Sequence, residues 1–294
     1  MRSENYNQTI VKKVAIQGGS GAFHEIAARS YFENKPIDIV CIETFDEIVQ
    51  LVSDKKIDFG VMAIENTVAG SLLPNYALIR EAPVKIMGEQ YLRVRQNLMA
   101  LPGQKIADIT EVHSHYMAIA QTRKFFNQYP HIKLVESPDT ALSARKIQDK
   151  KLVGKGAIAS NLAAEMYGLE ILAAGIETNK KNYTRFLILA HQDSEPNPSS
   201  ECSKASLCFS LPHHKGSLSQ VLSVLAFYDN NLTKIQSTPI VGQEFRYFMY
   251  VDLSYDNFER YQQSISAITP LVVDLQILGE YKYGIESLEN IHHQ

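Results

Sequence analysis

Apolar residues are laid down along this chain in two alternating rhythms. Short β-prone runs at 14–17, 37–42 and 59–64 alternate with stretches at about 24–32 and 45–53 in which apolar residues recur every three to four positions. Strands interleaved with helices in this way predict βαβ units and a mostly parallel sheet covered on both faces. The rhythm restarts past residue 85, with apolar runs near 97–101, 111–114, 133–136 and 156–160. The front of the chain therefore reads as two α/β lobes with a cleft between them, though no residue-level repeat relates the two. Residues 191–203, HQDSEPNPSSECS, are polar, carry two prolines and keep no period, which marks a linker. Behind it, 205–211 alternates as a strand, 218–228 is helical, 232–240 and 245–253 form a strand pair, 257–268 is helical and 272–279 is a last strand. The order βαββαβ is that of a ferredoxin-like domain.

Composition supports two cores and narrows the partners. The 294 residues are 45% hydrophobic, more than one compact unit needs. Charged residues make up 21% and leave a net charge of -3, so no basic field exists to hold nucleic acid. Residues 1–13 are polar and lack the apolar core of a signal peptide, and no run of about 18 apolar residues follows, so neither a membrane nor export is expected. Cys41, Cys202 and Cys208 are odd in number and not spaced as Cys-x-x-Cys, which suits a reducing cytoplasm better than a disulfide framework or zinc ribbon.

In open parallel sheets, ligands gather at the carboxyl ends of strands, where three polar clusters fall. The first, Gln17-Gly-Gly-Ser-Gly-Ala-Phe-His24, follows a strand and opens a helix, so the amides around Gly19 and Gly21 can meet an anion, or the glycines can serve only a tight turn. A dinucleotide site is the rival reading. Glu43 ends the second strand where a ribose-binding acid would sit, but His24 replaces the third glycine. The second is Glu65-Asn66-Thr67 with Gly70-Ser71; Ser71 reads equally as a helix N-cap or as a ligand contact. The third is Asn182-Tyr-Thr184-Arg185-Phe186, where a threonine and an arginine enter an apolar strand and need partners unless they stay exposed. His113 and His115, two apart without a carboxylate or cysteine companion, make a poor metal site, and His213-His214 and His292-His293 read as solvated.

Taken in order, these clusters resemble the prephenate dehydratase family. Gly18 to Phe23 is similar to its Gly-x-x-Gly motif, Ile64 to Ser71 to its Ile-Glu-Asn-[Ser/Thr]-x-x-Gly-Ser, and Asn182 to Phe186 to its Asn-x-Thr-Arg-Phe. Ala157-Ile-Ala-Ser160, Ala163-Ala164 and Tyr167-Gly168-Leu169 also fit the pattern. The back of the chain resembles an ACT domain through Asn231 to Ile235, Gln236-Ser-Thr-Pro239 and Tyr250 to Leu253. Three positions depart: His115 stands where the family has glutamine, Gly216-Ser-Leu-Ser219 replaces Gly-Ala-Leu-Val, and Gln236-Ser-Thr-Pro239 replaces Glu-Ser-Arg-Pro.

The resemblance implies a two-lobed, periplasmic-binding-protein-like catalytic domain over 12–191, with lobes 12–85 plus 177–191 and 86–176, and a ferredoxin-like ACT domain over 204–280. It implies conversion of prephenate to phenylpyruvate, water and carbon dioxide without cofactor or metal, in a homo-oligomer (dimer or tetramer) inhibited by phenylalanine. Arogenate as substrate and a non-catalytic sensor remain alternatives. Thr184 is then the donor to the departing hydroxyl. Asn66, Ser71, Asn182, Phe186, Gly19 and Gly21 orient the substrate. Arg185 is a clamp for a substrate carboxylate by its planar fork, although strand alternation points it away from Thr184, so one of them faces the cleft and the other a neighbouring loop, and Glu65 is either an acid of raised pKa or a partner for a cation. Phenylalanine is expected at Gly216, Ser217, Leu218, Asn231, Leu232, Gln236 and Ser237.

Overall fold

The computed structural model describes residues 11–33, 35–284 and 287; the polar start and the His292-His293 tail lie outside them. In the first lobe, β1 (Lys12–Gln17), α1 (Phe23–Tyr31), β2 (Ile37–Ile42), α2 (Phe45–Ser53) and β3 (Phe59–Asn66) make two parallel crossovers. The two-residue β4 (Gly70–Ser71) folds back on the end of β3, and α3 (Leu73–Glu81) leads into β5 (Val84–Arg93).

The chain then crosses over and builds the second lobe from β6 (Asn97–Ala100), β7 (Glu111–Ser114), α4 (Tyr116–Phe126), β8 (Lys133–Glu136), α5 (Thr140–Asp149), β9 (Lys155–Ala159), α6 (Asn161–Met166) and β10 (Glu170–Ala173). It returns to the first sheet as β11 (Tyr183–His191). Side-chain caps start several helices: Thr44 accepts from the Glu47 amide, Asp139 from Leu142 and Ser160 from Ala163.

The first sheet has the order β2-β1-β3-β11-β5, and the second, read from its far edge, β8-β7-β9-β6-β10. In each, the strand that arrives from the other lobe, β11 or β6, lies antiparallel to both its neighbours. The other long strands of each sheet run one way, as the mostly parallel expectation required. The two lobes thus repeat one topology that their residues do not display. One boundary moves: β5 carries the first lobe on to Arg93, past the expected break at residue 86, because it buries Glu89 and Gln90 and so interrupts the apolar run.

The back of the chain forms β12 (Lys204–Ser210), α7 (Ser217–Phe227), β13 (Asn231–Pro239), β14 (Tyr247–Ser254), α8 (Phe258–Ile268) and β15 (Val273–Tyr281), an antiparallel sheet in the order β13-β14-β12-β15. Leu207, Phe209, Val251 and Leu253 face α7 and α8. Their alternates do not face water. Cys208, Tyr250, Leu278 and Tyr281 join Ile64, Tyr76, Ile86 and Leu189 of the first lobe in one core. A side chain at Gly279 would overlap the Ile86 carbonyl, so glycine is required for this approach. The expected linker is docked as well, with Asn197 Nδ2 donating to the carbonyls of Met87 and Glu280, both at 2.9 Å.

Candidate active site

Between the two lobes lies a cavity of about 370 Å³. From the first lobe, Phe23, His24, Asn66, Thr184 and Phe186 reach its wall; from the second, His115, Gln121 and Asp139. At its centre, register pairs Thr184 of β11 with Asn66 of β3. The Asn66 carbonyl oxygen accepts from the amides of Val68 at 2.9 Å and Ala69 at 2.8 Å, which fixes the orientation of its amide. Its Nδ2 then donates to Thr184 Oγ1 at 2.9 Å and to Asn182 Oδ1 at 2.8 Å. Asn182 passes the chain across the cleft by donating to Gln121 Oε1 at 3.0 Å. Thr184, Asn66 and Asn182, expected from sequence, therefore meet in one network, and Phe186 forms the floor beneath them.

Several wall residues carried no usable sequence signal. Gln96 and Gln121 sit on the crossing segment and on α4, within stretches that read as ordinary polar positions, and Gln96 Oε1 is buried without a protein partner. His24, singled out only as a missing glycine, stacks edge-on against Phe186 with ring centroids 5.0 Å apart. Its Nε2 is buried without a protein partner, and burial lowers its pKa to about 4. His115 begins α4, where its Nδ1 accepts from the Met117 amide at 3.4 Å, and burial lowers its pKa against the opposing pull of Asp139 and Glu136. His113 lies instead 3.5 Å from Glu111. Among the described wall residues there is no lysine or arginine, and Asp139 is the only carboxylate. The N-termini of α1, α4 and α5 open at the cleft; His115 caps α4 and Asp139 caps α5, whereas α1 has no side-chain cap.

Residues 14–194 match the family model of prephenate dehydratase. The chain belongs to the prephenate dehydratase family. Arogenate dehydratase 5, chloroplastic, of Arabidopsis thaliana is 36% identical over 287 residues, spanning 92% of this chain and 67% of its own length. The bifunctional chorismate mutase/prephenate dehydratase of Aquifex aeolicus is 32% identical over 272 residues, spanning 92% and 73%. A solved structure described as a novel type of quorum quenching acylase, GqqA, superposes with a TM-score of 0.82 at 28% identity, covering 92% of this chain and 98% of that one.

The motifs that link the chain to prephenate dehydratases are split between two faces, and Glu65, Ser71 and Arg185 leave the cleft. Arg185 points to the back domain, where Nε donates to Glu89 at 2.6 Å, Nη1 pairs with Asp252, and Nη2 donates to Tyr281 Oη at 3.0 Å. Lys204 completes this buried group through Glu89 at 2.9 Å. Burial alone would raise the Asp252 carboxyl, but the Arg185 and Lys204 charges outweigh it and hold the carboxyl below its ordinary value. Arg185, expected as a substrate clamp, is thus an interdomain residue.

Glu65 and Ser71 also leave the cleft, both bonded to Lys234 Nζ, at 2.6 and 2.9 Å. A bulge in β3 turns both Ile64 and Glu65 away from the cleft, and Ser71 sits in β4, not at the N-cap of α3, which is Leu72. The glycine loop is a seam between lobes. A Cβ on Gly21 would lie 2.8 Å from Ala163 Cα, one on Gly19 2.6 Å from Leu142, and Ser160 Oγ donates to the Gly21 carbonyl at 2.6 Å. The surface that would cradle a dinucleotide's phosphates is taken by the second lobe.

In the back domain, Gly216, Ser217 and Leu218 line a cavity of about 640 Å³ with Phe245, Arg246 and Tyr247. Asn231, Leu232, Gln236 and Ser237 are not among its lining. They lie on β13, the edge strand of the sheet.

Proposed function

We propose that the cleft binds prephenate and expels its ring carboxylate and ring hydroxyl together. The bond to the carboxylate breaks, its electron pair moves into the ring, and the carbon–oxygen bond breaks as the hydroxyl takes up one proton supplied by solvent and leaves as water. Carbon dioxide, water and phenylpyruvate result. Aromatisation drives the reaction, so the protein's task is to assist the hydroxyl's departure.

One observation carries this reading: the fixed Asn66 amide fills an acceptor position of Thr184 Oγ1, which leaves the threonine's own proton to point elsewhere. Threonine is too weak an acid to give that proton up outright, and serves as an oriented donor to the leaving oxygen. The N-terminus of α1, which has no side-chain cap, receives the side-chain carboxylate, and the absence of lysine or arginine from the described wall keeps the ring carboxylate from being stabilised in place.

A second substrate has a specific observation in its favour. Arogenate carries an ammonium where prephenate has a keto group, and Asp139 is the carboxylate available to meet it. Purified protein incubated with each compound, without added cofactor, should release an aromatic product from at least one. Amide hydrolysis with no aromatic product from either would assign the cleft to acylase chemistry instead. Asp139→Asn keeps an equally good helix cap and removes only the charge. It should lower kcat/KM for arogenate by about tenfold and leave that for prephenate equal or higher, as expected for losing one half-buried ion pair and its hydrogen bond. An unchanged ratio contradicts the role of Asp139.

For the back domain, we propose that phenylalanine binds by its carboxylate at the start of α7, near Gly216 and Ser217, with Leu218 and Tyr247 beside its ring. The exposed β13 edge, with Val241 98% and Phe245 74% exposed close by, supports pairing of copies of the chain there. Phenylalanine titrated against the intact chain should inhibit turnover at millimolar concentrations or below. Activity that does not respond removes the sensing role.

A further inference from the structure

Two stacked residue pairs connect the back domain to the cleft. On β3 and β11, Glu65 is in register with Arg185 and Asn66 with Thr184. Asn66 and Thr184 face the cleft; Glu65 and Arg185 face the back domain. There they meet a second registered pair, Lys234 of β13 and Asp252 of β14. Lys234 holds Glu65, and Asp252 holds Arg185. Lys234 also bonds Ser71, the register partner of Glu65 in β4, and lies 5.5 Å from the Tyr76 ring centroid. Its side chain is only 6% exposed, although it projects from an edge strand.

We infer that Lys234 is a positioning residue of the cleft: by clamping Glu65 and Ser71, it fixes the β3–β4 turn and so the Asn66 amide that orients Thr184. The turn is short. Asn66 closes it by accepting from Val68 and Ala69, so a shift of Glu65 moves the same backbone that aims Asn66 Nδ2. Attraction between Lys234 and Glu65 acts at 2.6 Å with the ammonium almost dry, so water reaches the pair only from the Glu65 side. Movement of β13, the strand open to a neighbouring copy or a ligand, is thereby passed to the reacting hydroxyl through one side chain.

The inference rests on the dehydratase reading for its kinetic arm only. Lys234→Met keeps the length and apolar stem, and takes its partner only from Glu65, which is 41% exposed, and from the half-buried Ser71 hydroxyl, both within reach of water, so the fold is retained. Two quantities are measured in the intact chain: hydrogen exchange of the peptide spanning residues 64–72, and kcat and KM for the better of prephenate and arogenate.

Lys234→Met should speed exchange in that peptide and lower kcat about tenfold with KM within about threefold, and Lys234→Arg should restore both. Glu65→Gln, which weakens the same clamp from its other end, should change both in the same direction. Exchange unchanged from the wild type overturns the inference whatever the activity, and so does faster exchange with an unaltered kcat. Faster exchange in a wild-type background that turns over neither compound leaves the clamp standing and removes the dehydratase reading.

Discussion

His24 sits between Phe45 and Phe186, with ring centroids 5.6 and 5.0 Å away, and burial lowers its pKa to about 4. The unfolded chain holds this proton up to about pH 6.5. Acidification through that interval therefore protonates the unfolded state first, and stability is lost between about pH 6.5 and 4, by at most about 3 kcal/mol. His24→Gln removes the effect. The difference in unfolding free energy between wild type and variant, followed by denaturant titration from pH 7 to 4, should shrink or reverse toward acid; a pH-independent difference contradicts the assignment. At this scale Thr184, Asn66 and Asn182 were legible because polar residues at the ends of apolar strands must find partners. Glu65, Ser71 and Arg185 were read into the wrong site because their partners, Lys234, Glu89 and Asp252, lie far away in sequence.

Strand alternation decides what each element does. In β11 it sends Thr184 to the cleft and Arg185 to the back domain, and in β12 and β14 it buries Lys204, Ser206 and Asp252 against the Arg185–Glu89 pair of the first lobe. Periodicity reported which residues share a face, but not what covers it. Arg185→Met tests the consequence: Asp252 and Glu89 lose a buried partner, and the chain should be destabilised by about 3–5 kcal/mol, visible as a lower urea midpoint. A midpoint within error of wild type contradicts the buried network. The seam between lobes is tested by Gly21→Ala. Its backbone φ of 86° disfavours a side chain, and the new Cβ would press on Ala163, so the lobes should part and KM rise at least about tenfold with each lobe folded. An unchanged KM means that the seam does not shape the cleft.

Across the whole molecule, two α/β lobes and a βαββαβ back domain were legible in the apolar rhythm although β4, β5 and β10 were not, whereas the shared core could not be, since the apolar alternates of β12 and β14 look like those of a free-standing sheet. The back domain is structurally part of the first lobe. A chain ending at His191 would expose Ile64, Tyr76, Ile86 and Leu189 together with the Arg185 group, and should aggregate or unfold well below the intact chain's midpoint. A stable, fully active fragment contradicts the shared core. Everything proposed for the molecule converges on the Thr184 hydroxyl. The most direct measurement is kcat for prephenate, or arogenate if it is the better substrate, in wild type, Thr184→Ser and Thr184→Ala, with folding checked by circular dichroism. The serine variant should retain activity within about tenfold and the alanine variant should lose about 10²- to 10⁴-fold. A folded alanine variant with near wild-type kcat would contradict the mechanism.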